Sequence, residues 1–275
     1  MSLFTVDTNK CKRDGICVDE CPLGLIEIID NDSFPAPVKG AEDLCINCGH
    51  CVAVCPHRAI SLKTMTSEEC RPLKDELRIS DEQVEQLLNT RRSIRTYKDE
   101  QVDKVKLERL IDAAKYAPTG RNNQPVRWLV VYDSEEVRRL EGMAAEWMRY
   151  MIKEQEQYAL MMNFRQIAEL WDSDRKTPIT CGAPHMLVAY ASKDSIASQE
   201  ACIIAAAHVD IAAPAFGLGT CWAGYFNAAA RFWPAMQKAL RLPEGFLPYC
   251  SMMIGYPKYS YHRIPARNKS QIAWR

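Results

Sequence analysis

At 275 residues the chain has room for about two domains, and its 47% apolar and 25% charged residues are ordinary globular usage. Its 35 acidic and 35 basic side chains cancel, which argues against nucleic acid or an anionic membrane surface as the main partner. The basic residues near the N-terminus, Lys10, Lys12 and Arg13, precede no apolar segment, and the longest apolar stretch, 201–219, is interrupted by His208, Asp210 and Pro214. Neither a secretory signal nor a membrane span is expected, and the expected location is cytoplasmic. Charge is uneven along the chain: residues 1–62 carry nine acids and five bases, so an acidic first module precedes a basic remainder. The two would attract each other, less so in salt.

Seven of the twelve cysteines fall within residues 11–55, and in a chain expected to be cytoplasmic they point to metal or redox chemistry before disulfides. The region repeats itself: Cys11, Cys17 and Cys21-Pro22 are echoed by Cys45, Cys51 and Cys55-Pro56, each set followed by an apolar patch, with Asn31, Asp32, Ser33, Pro35 and Pro37 forming the turn between. Two short pseudo-symmetric strand–turn–helix units fit this pattern. In the second copy Cys45, Cys48 and Cys51 are spaced two apart and Cys55 follows three later, before proline. Three thiolates so spaced wrap one iron–sulfur cubane from a single loop, and the fourth points to a neighbouring cluster. The alternative is zinc, but zinc sites usually draw on two separated ligand pairs rather than one crowded run.

In the first copy the second ligand place is Asp14. The region resembles bacterial-type two-cluster ferredoxins, some of which carry aspartate there. The resemblance implies that Asp14 is an oxygen ligand to a labile iron, or that the site holds a three-iron cluster; in the other reading Asp14 only caps the turn. It also implies crossed ligation, with Cys11, Cys17 and Cys55, and Asp14 where it binds, around one cluster, and Cys21, Cys45, Cys48 and Cys51 around the other. Cys70, Cys181, Cys202, Cys221 and Cys250 are scattered singly and read as small core residues.

Residues 63–80 lack periodicity and read as a linker between a module at 1–62 and a second domain at 81–275. A helix is expected from Ser80, an N-cap with Gln83 placed for a capping box, to about residue 89, with Val84, Leu87 and Leu88 facing inward. A second helix, 103–117, stops at Pro118, with Val105, Leu107, Leu110 and Ile111 apolar at helical spacing. Strands are expected at 128–132, 184–191, 221–226 and 249–255. Between them fall a helical stretch from Ser134 to about 170, an apolar helix at 196–216 closed by Gly217 and Gly219, and a helix at 228–240. The alternation implies an α+β or α/β layered domain.

Two polar segments stand out: Arg91-Arg92-Ser93-Ile94-Arg95 after the first of these helices, and Pro118-Thr119-Gly120-Arg121-Asn122 between helix and strand. Clustered arginines and a serine offer forked and hydroxyl donors to a phosphate. Together with Trp222-Ala223-Gly224-Tyr225 and the late basic residues Arg263, Arg267 and Lys269, their order and spacing resemble the FMN-dependent nitroreductase family over about residues 85–270.

That resemblance implies an α+β chain in which a bacterial ferredoxin-like domain precedes a three-layer α/β/α domain. Its cofactors would be FMN and two iron–sulfur clusters of the 4Fe-4S type, the Asp14 site holding either 4Fe-4S or 3Fe-4S. Arg91, Arg92, Ser93 and Arg95 would form the first FMN segment, with Arg91 and Ser93 at the ribityl phosphate and Arg95 near the flavin N1–O2 edge. Pro118, Thr119, Gly120 and Asn122 would come from the other subunit of a homodimer to cover the isoalloxazine. Ala223 and Gly224 would lie beside the flavin, and Arg267 would be the late phosphate arginine. Two places before it stands Pro265 where the family often has a base, which shifts weight to Arg263 or Lys269. No catalytic acid or base is expected; His185 and His208 read as core histidines. The implied activity is reduction of a nitroaromatic, quinone or similar small acceptor, with electrons from a low-potential external donor or from NAD(P)H. The alternatives are electron transfer to a protein partner and redox sensing through a labile cluster.

Overall fold

A computed structural model describes residues 3–275, which form two compact units: residues up to Arg78 together with Arg121–Asn123, and Ile79–Gly120 with Gln124–Arg275.

In the first unit, strand β1 (Phe4–Val6), helix α1 (Ile16–Asp19), strands β2 (Ile26–Glu27) and β3 (Ala36–Pro37), helices α2 (Ala41–Leu44) and α3 (His50–Val54), and strand β4 (Ile60–Leu62) follow in order. β1 pairs antiparallel with β4, and β2 with β3. The small core holds Phe4, Ile26, Val52, Ile60 and Leu62 beside Cys17 and Cys51. The repeat seen in the sequence is a repeat of backbone: left-handed residues recur 34 positions apart at Arg13 and Asn47, Gly15 and Gly49, and Gly24 and Arg58. Gly15 and Gly49, at φ 75° and 74°, each N-cap a short helix, a conformation that suits glycine because a Cβ crowds the following carbonyl. Residues 63–70 are not a free linker. Met65 pairs back onto Leu62, Ser67 is buried, and its hydroxyl donates to the Arg58 carbonyl.

The second unit contains α4 (Asp81–Thr90), α5 (Lys104–Ala113), β5 (Arg127–Val131), α6 (Ser134–Glu154), α7 (Glu156–Met161), α8 (Phe164–Asp172), β6 (His185–Ser192), α9 (Ser198–Ala212), β7 (Gly219–Trp222), α10 (Gly224–Phe232), α11 (Pro234–Leu240) and β8 (Phe246–Gly255). α4 opens with the expected capping box: Ser80 Oγ accepts the Gln83 N–H at 3.2 Å and Gln83 Oε1 accepts the Ser80 N–H at 2.9 Å. Three expected elements are subdivided or shifted. The 134–170 helical stretch breaks at Gln155 and at left-handed Asn163. The 228–240 helix starts earlier and divides before Pro234, whose ring starts a new helix. The 221–226 strand ends at Trp222.

The four strands lie in the order β5-β6-β8-β7, all antiparallel. Side chains alternate across the sheet. Met186 and Val188 enter a core formed with α6, α8, α10 and α11, while Leu187, Ala189 and Ala191 enter a second core with α5 and α9. Helices thus cover both faces, the expected three-layer α/β/α arrangement, and β6 is apolar nearly throughout because neither of its faces meets water. Val105, expected on the inner face of α5, is exposed, whereas Leu107 and Leu110 are buried.

Candidate functional site

The first unit holds two cavities, each lined by four of the residues read as cluster ligands. One small cavity is lined by Cys11, Asp14, Cys17 and Cys55, the other by Cys21, Cys45, Cys48 and Cys51. Each cavity draws its last cysteine from the other half of the repeat, as crossed ligation requires. Four converging ligands, nearly all thiols, suit the donor chemistry of an iron–sulfur cluster. Burial pushes the Cys51 thiol up to about 11 and raises Cys17; iron ligation would expel those protons. Backbone amides already point at sulfur, Leu25 N–H to Cys21 Sγ at 3.3 Å, Ala59 N–H to Cys55 Sγ at 3.4 Å and Asn47 N–H to Cys45 Sγ at 3.4 Å. Bonds of this kind tune cluster potential. Asp14 lines its cavity and also accepts the Ile16 N–H at 3.4 Å, with Oδ2 3.5 Å from His57 Nε2.

In the second unit, residues 91–97 are strapped to the sheet edge. Ile94 N–H donates to the Thr220 carbonyl at 2.8 Å, and Tyr97 pairs with Pro257. Ile94 and Tyr97 are buried, and the Tyr97 hydroxyl donates to the Ile94 carbonyl at 2.7 Å. Gly219 has no room for a side chain, because a Cβ there would collide with Ile94 and Pro257. Lys176 donates to the Arg95 carbonyl and to Thr96 Oγ1. Arg91, Ser93 and Arg95 gather around Cys221: burial raises that thiol, while Arg95, the Ser93 side chain and Arg91 act the other way. Ala223 and Gly224 follow at the turn from β7 into α10. Asp210 on α9 is buried; it accepts from Thr220 Oγ1 and, at 3.1 Å, from Trp222 Nε1, and its Oδ2 lies 3.4 Å from an Arg91 nitrogen.

Beside this cluster lies a cavity of about 820 Å³ whose wall includes Arg92, Asp210, Thr220, His262 and Arg263. Arg92 Nε is buried there without a hydrogen-bond partner. Arg263, not Arg267, reaches this wall; the Arg267 guanidinium is exposed and donates to the Ala266 carbonyl at 3.4 Å. Pro118, Thr119 and Gly120 stand in the loop after α5. There Thr119 Oγ1 accepts the Gln124 N–H, and a Cβ at Gly120 would rest 3.6 Å from Ile196 and Ala197. Residues 121–123 cluster with the first unit, within which Asn122 Nδ2 donates to the Asn47 carbonyl at 2.8 Å.

His185 is a core histidine, as expected. Val102 N–H donates to Nε2 at 2.9 Å, leaving Nδ1 to donate to the Tyr132 carbonyl at 2.6 Å, and burial lowers its pKa. His208 differs: it lies on the outer side of α9, exposed. Cys181, Cys202, Cys221 and Cys250 are buried core thiols, and Cys70 packs at the edge of the first unit's core. Asp210 is the residue that sequence reasoning passed over; its signal was an acid in an otherwise apolar helix.

The signature of the Nitroreductase family matches residues 88–256, and that of a 4Fe-4S dicluster domain matches residues 9–60. The chain belongs to the nitroreductase family of oxidoreductases and carries a dicluster ferredoxin domain in front of it. It is 26% identical to a putative NADH dehydrogenase/NAD(P)H nitroreductase of Archaeoglobus fulgidus over 62% of this chain and 84% of that protein. Over 21% of this chain and 67% of the other, it is 37% identical to a ferredoxin of Hydrogenibacillus schlegelii described as 7Fe. The crystal structure of a nitroreductase with bound FMN from Desulfitobacterium hafniense shares the fold at TM-score 0.54 and 24% identity, covering 71% of this chain and 100% of that one. Among the described residues no helix is long and apolar enough to cross a membrane.

Proposed function

We propose that the chain is an FMN-dependent reductase with its own electron relay. Clusters pass electrons singly and FMN gathers them in pairs for delivery to a flat, electron-poor acceptor such as a nitroaromatic or quinone. The single observation that carries this reading is the unpartnered, buried Arg92 Nε in the 820 Å³ cavity, in a chain whose other unit holds two four-ligand cavities. FMN in the Desulfitobacterium hafniense structure and the 7Fe description of the Hydrogenibacillus schlegelii ferredoxin support it.

In this reading Arg91, Arg92 and Ser93 hold the phosphate end, and Arg263 takes the part expected of Arg267. Arg95 supplies positive charge beside the N1–O2 edge, with Lys176 bracing the backbone of that segment. Ala223 and Gly224 line the flavin. Pro118, Thr119 and Gly120 cover it from the second subunit of a homodimer, while Asn122, already engaged by the Asn47 carbonyl, is left out of the flavin set. The dimer is supported by apolar surface that one copy leaves bare. α4 has no buried residue and its Leu88 is half exposed, and Ile203 on α9 is exposed.

Anaerobic analysis tests the reading. About seven to eight irons and one FMN per chain are expected, with multiple turnover of an added nitroaromatic or quinone when a low-potential one-electron donor is supplied. About four irons or fewer after reconstitution, or no turnover beyond the first, would overturn it.

A further inference from the structure

Asp210 is a carboxylate that the fold keeps in a nearly dry place, and every donor around it belongs to the flavin-site region. It is 5% exposed, on a helix whose other buried residues are Ser198, Ala201, Cys202, Ala205, Ala206 and Val209. Thr220 and Trp222 donate to it from β7, one to each oxygen, and Arg91 approaches Oδ2 from the strapped segment. A buried charge is retained only when paired and hydrogen-bonded. Thr220 and Trp222 fix where the carboxylate sits, and the carboxylate then fixes where the Arg91 guanidinium sits. Guanidinium is a planar fork of five donors. One nitrogen at 3.4 Å from Asp210 leaves the others free and aimed by the contact. The Arg91 side chain is itself only 28% exposed, so little water competes for it.

We propose that Asp210 is a positioning residue for flavin binding. It presents Arg91 to the cofactor's phosphate in a fixed orientation, so the rotamer entropy of that long side chain is lost on folding and not again on binding. The proposal rests on the reading of residues 91–95 as the FMN segment. It runs against the simplest electrostatic expectation, since an anion beside a phosphate site should weaken it. Orientation prevails because the Asp210 charge is already spread over three donors, whereas a freed Arg91 would have to be re-ordered by each FMN.

The test is FMN affinity of the full chain, clusters intact and anaerobic, read by quenching of flavin fluorescence in four proteins: wild type, Asp210→Asn, Arg91→Ala and the double variant. Asp210→Asn keeps the shape but sets an amide N–H₂ against the donors, and is expected to raise the FMN Kd about tenfold, the factor that re-ordering one long side chain at each binding event corresponds to. In the Arg91→Ala background the same change should have almost no further effect; a merely structural defect would weaken binding equally in both backgrounds. An unchanged or tighter Kd in Asp210→Asn, or full additivity with Arg91→Ala, overturns the proposal. If Arg91→Ala itself binds FMN as well as wild type, the reading of the 91–95 segment fails instead. Should Asp210→Asn not fold, Trp222→Phe removes a single donor to the carboxylate. It should raise the Kd in the wild-type background and leave it unchanged in Arg91→Ala; any other pattern overturns the proposal.

Discussion

At the scale of single residues, Asp14 and Cys48 occupy matching places. If Asp14 ligates iron, Asp14→Cys should convert a labile corner into a thiolate-held one, raising iron to about eight per chain and changing the EPR spectrum of the first cluster; identical spectra and iron content would show that Asp14 only caps its turn. In the proposed site Arg95 would bear on the flavin by charge. Removing a cation beside N1 destabilises the anionic reduced flavin, so Arg95→Ala should lower the flavin potential and slow acceptor reduction while leaving the cluster signals unchanged in a redox titration. His185 gives a pH dependence. Its folded pKa lies below the ordinary 6.5 because burial disfavours the charged ring, so below about pH 6.5 the unfolded chain binds a proton that the folded one does not. Its contribution is therefore complete above about pH 6.5 and is lost as pH falls. Replacing it by Gln should flatten the fall in stability between neutral and mildly acid pH by up to about 1.4 kcal/mol per pH unit, measured by denaturant unfolding of the two proteins side by side.

At the scale of elements, the signals with local causes were legible. The Ser80–Gln83 capping box reads directly from residue type and spacing, and Ser80→Ala should cost about 1 kcal/mol in a melting experiment. The cysteine repeat likewise grouped the residues that line the two small cavities, because spacing within short loops is a local signal. What the sequence hid has non-local causes. Residues 63–70 look like linker because their partners, Leu62 and Arg58, are recognisable only once β4 is placed. The break at left-handed Asn163, between α7 and α8, carries no proline or glycine to mark it. Arg263 rather than Arg267 reaches the cavity because β8 ends at Gly255 and the following residues run past α4 before turning out, a path no local pattern encodes. Asp210 stayed hidden for the same reason: its donors lie on other elements.

At the scale of the whole molecule, in the proposed scheme a relay tethered to the flavin domain would work at high effective concentration, so delivery need not wait on diffusion. Low cluster potentials, favoured by thiolate ligands and net negative charge, would drive electrons toward the flavin. A protein starting at Ile79 should still bind FMN and still dimerise by light scattering, yet lose turnover with a low-potential one-electron donor. If stopped-flow shows its flavin bleaching as fast as in the full chain, electrons do not enter through the clusters. A flavin-loaded monomer in the same light-scattering run would remove the homodimer.

The left-handed residues that recur 34 positions apart give the two ligand loops of the ferredoxin unit matching turns, and the loops differ at one ligand place. Any contrast between the two clusters, in potential, oxygen tolerance or ease of losing an iron, can then be traced to side chains instead of to folding. Reciprocal exchange, Asp14→Cys with Cys48→Asp, should move the fragile centre from one half to the other while leaving the chain's total iron the same.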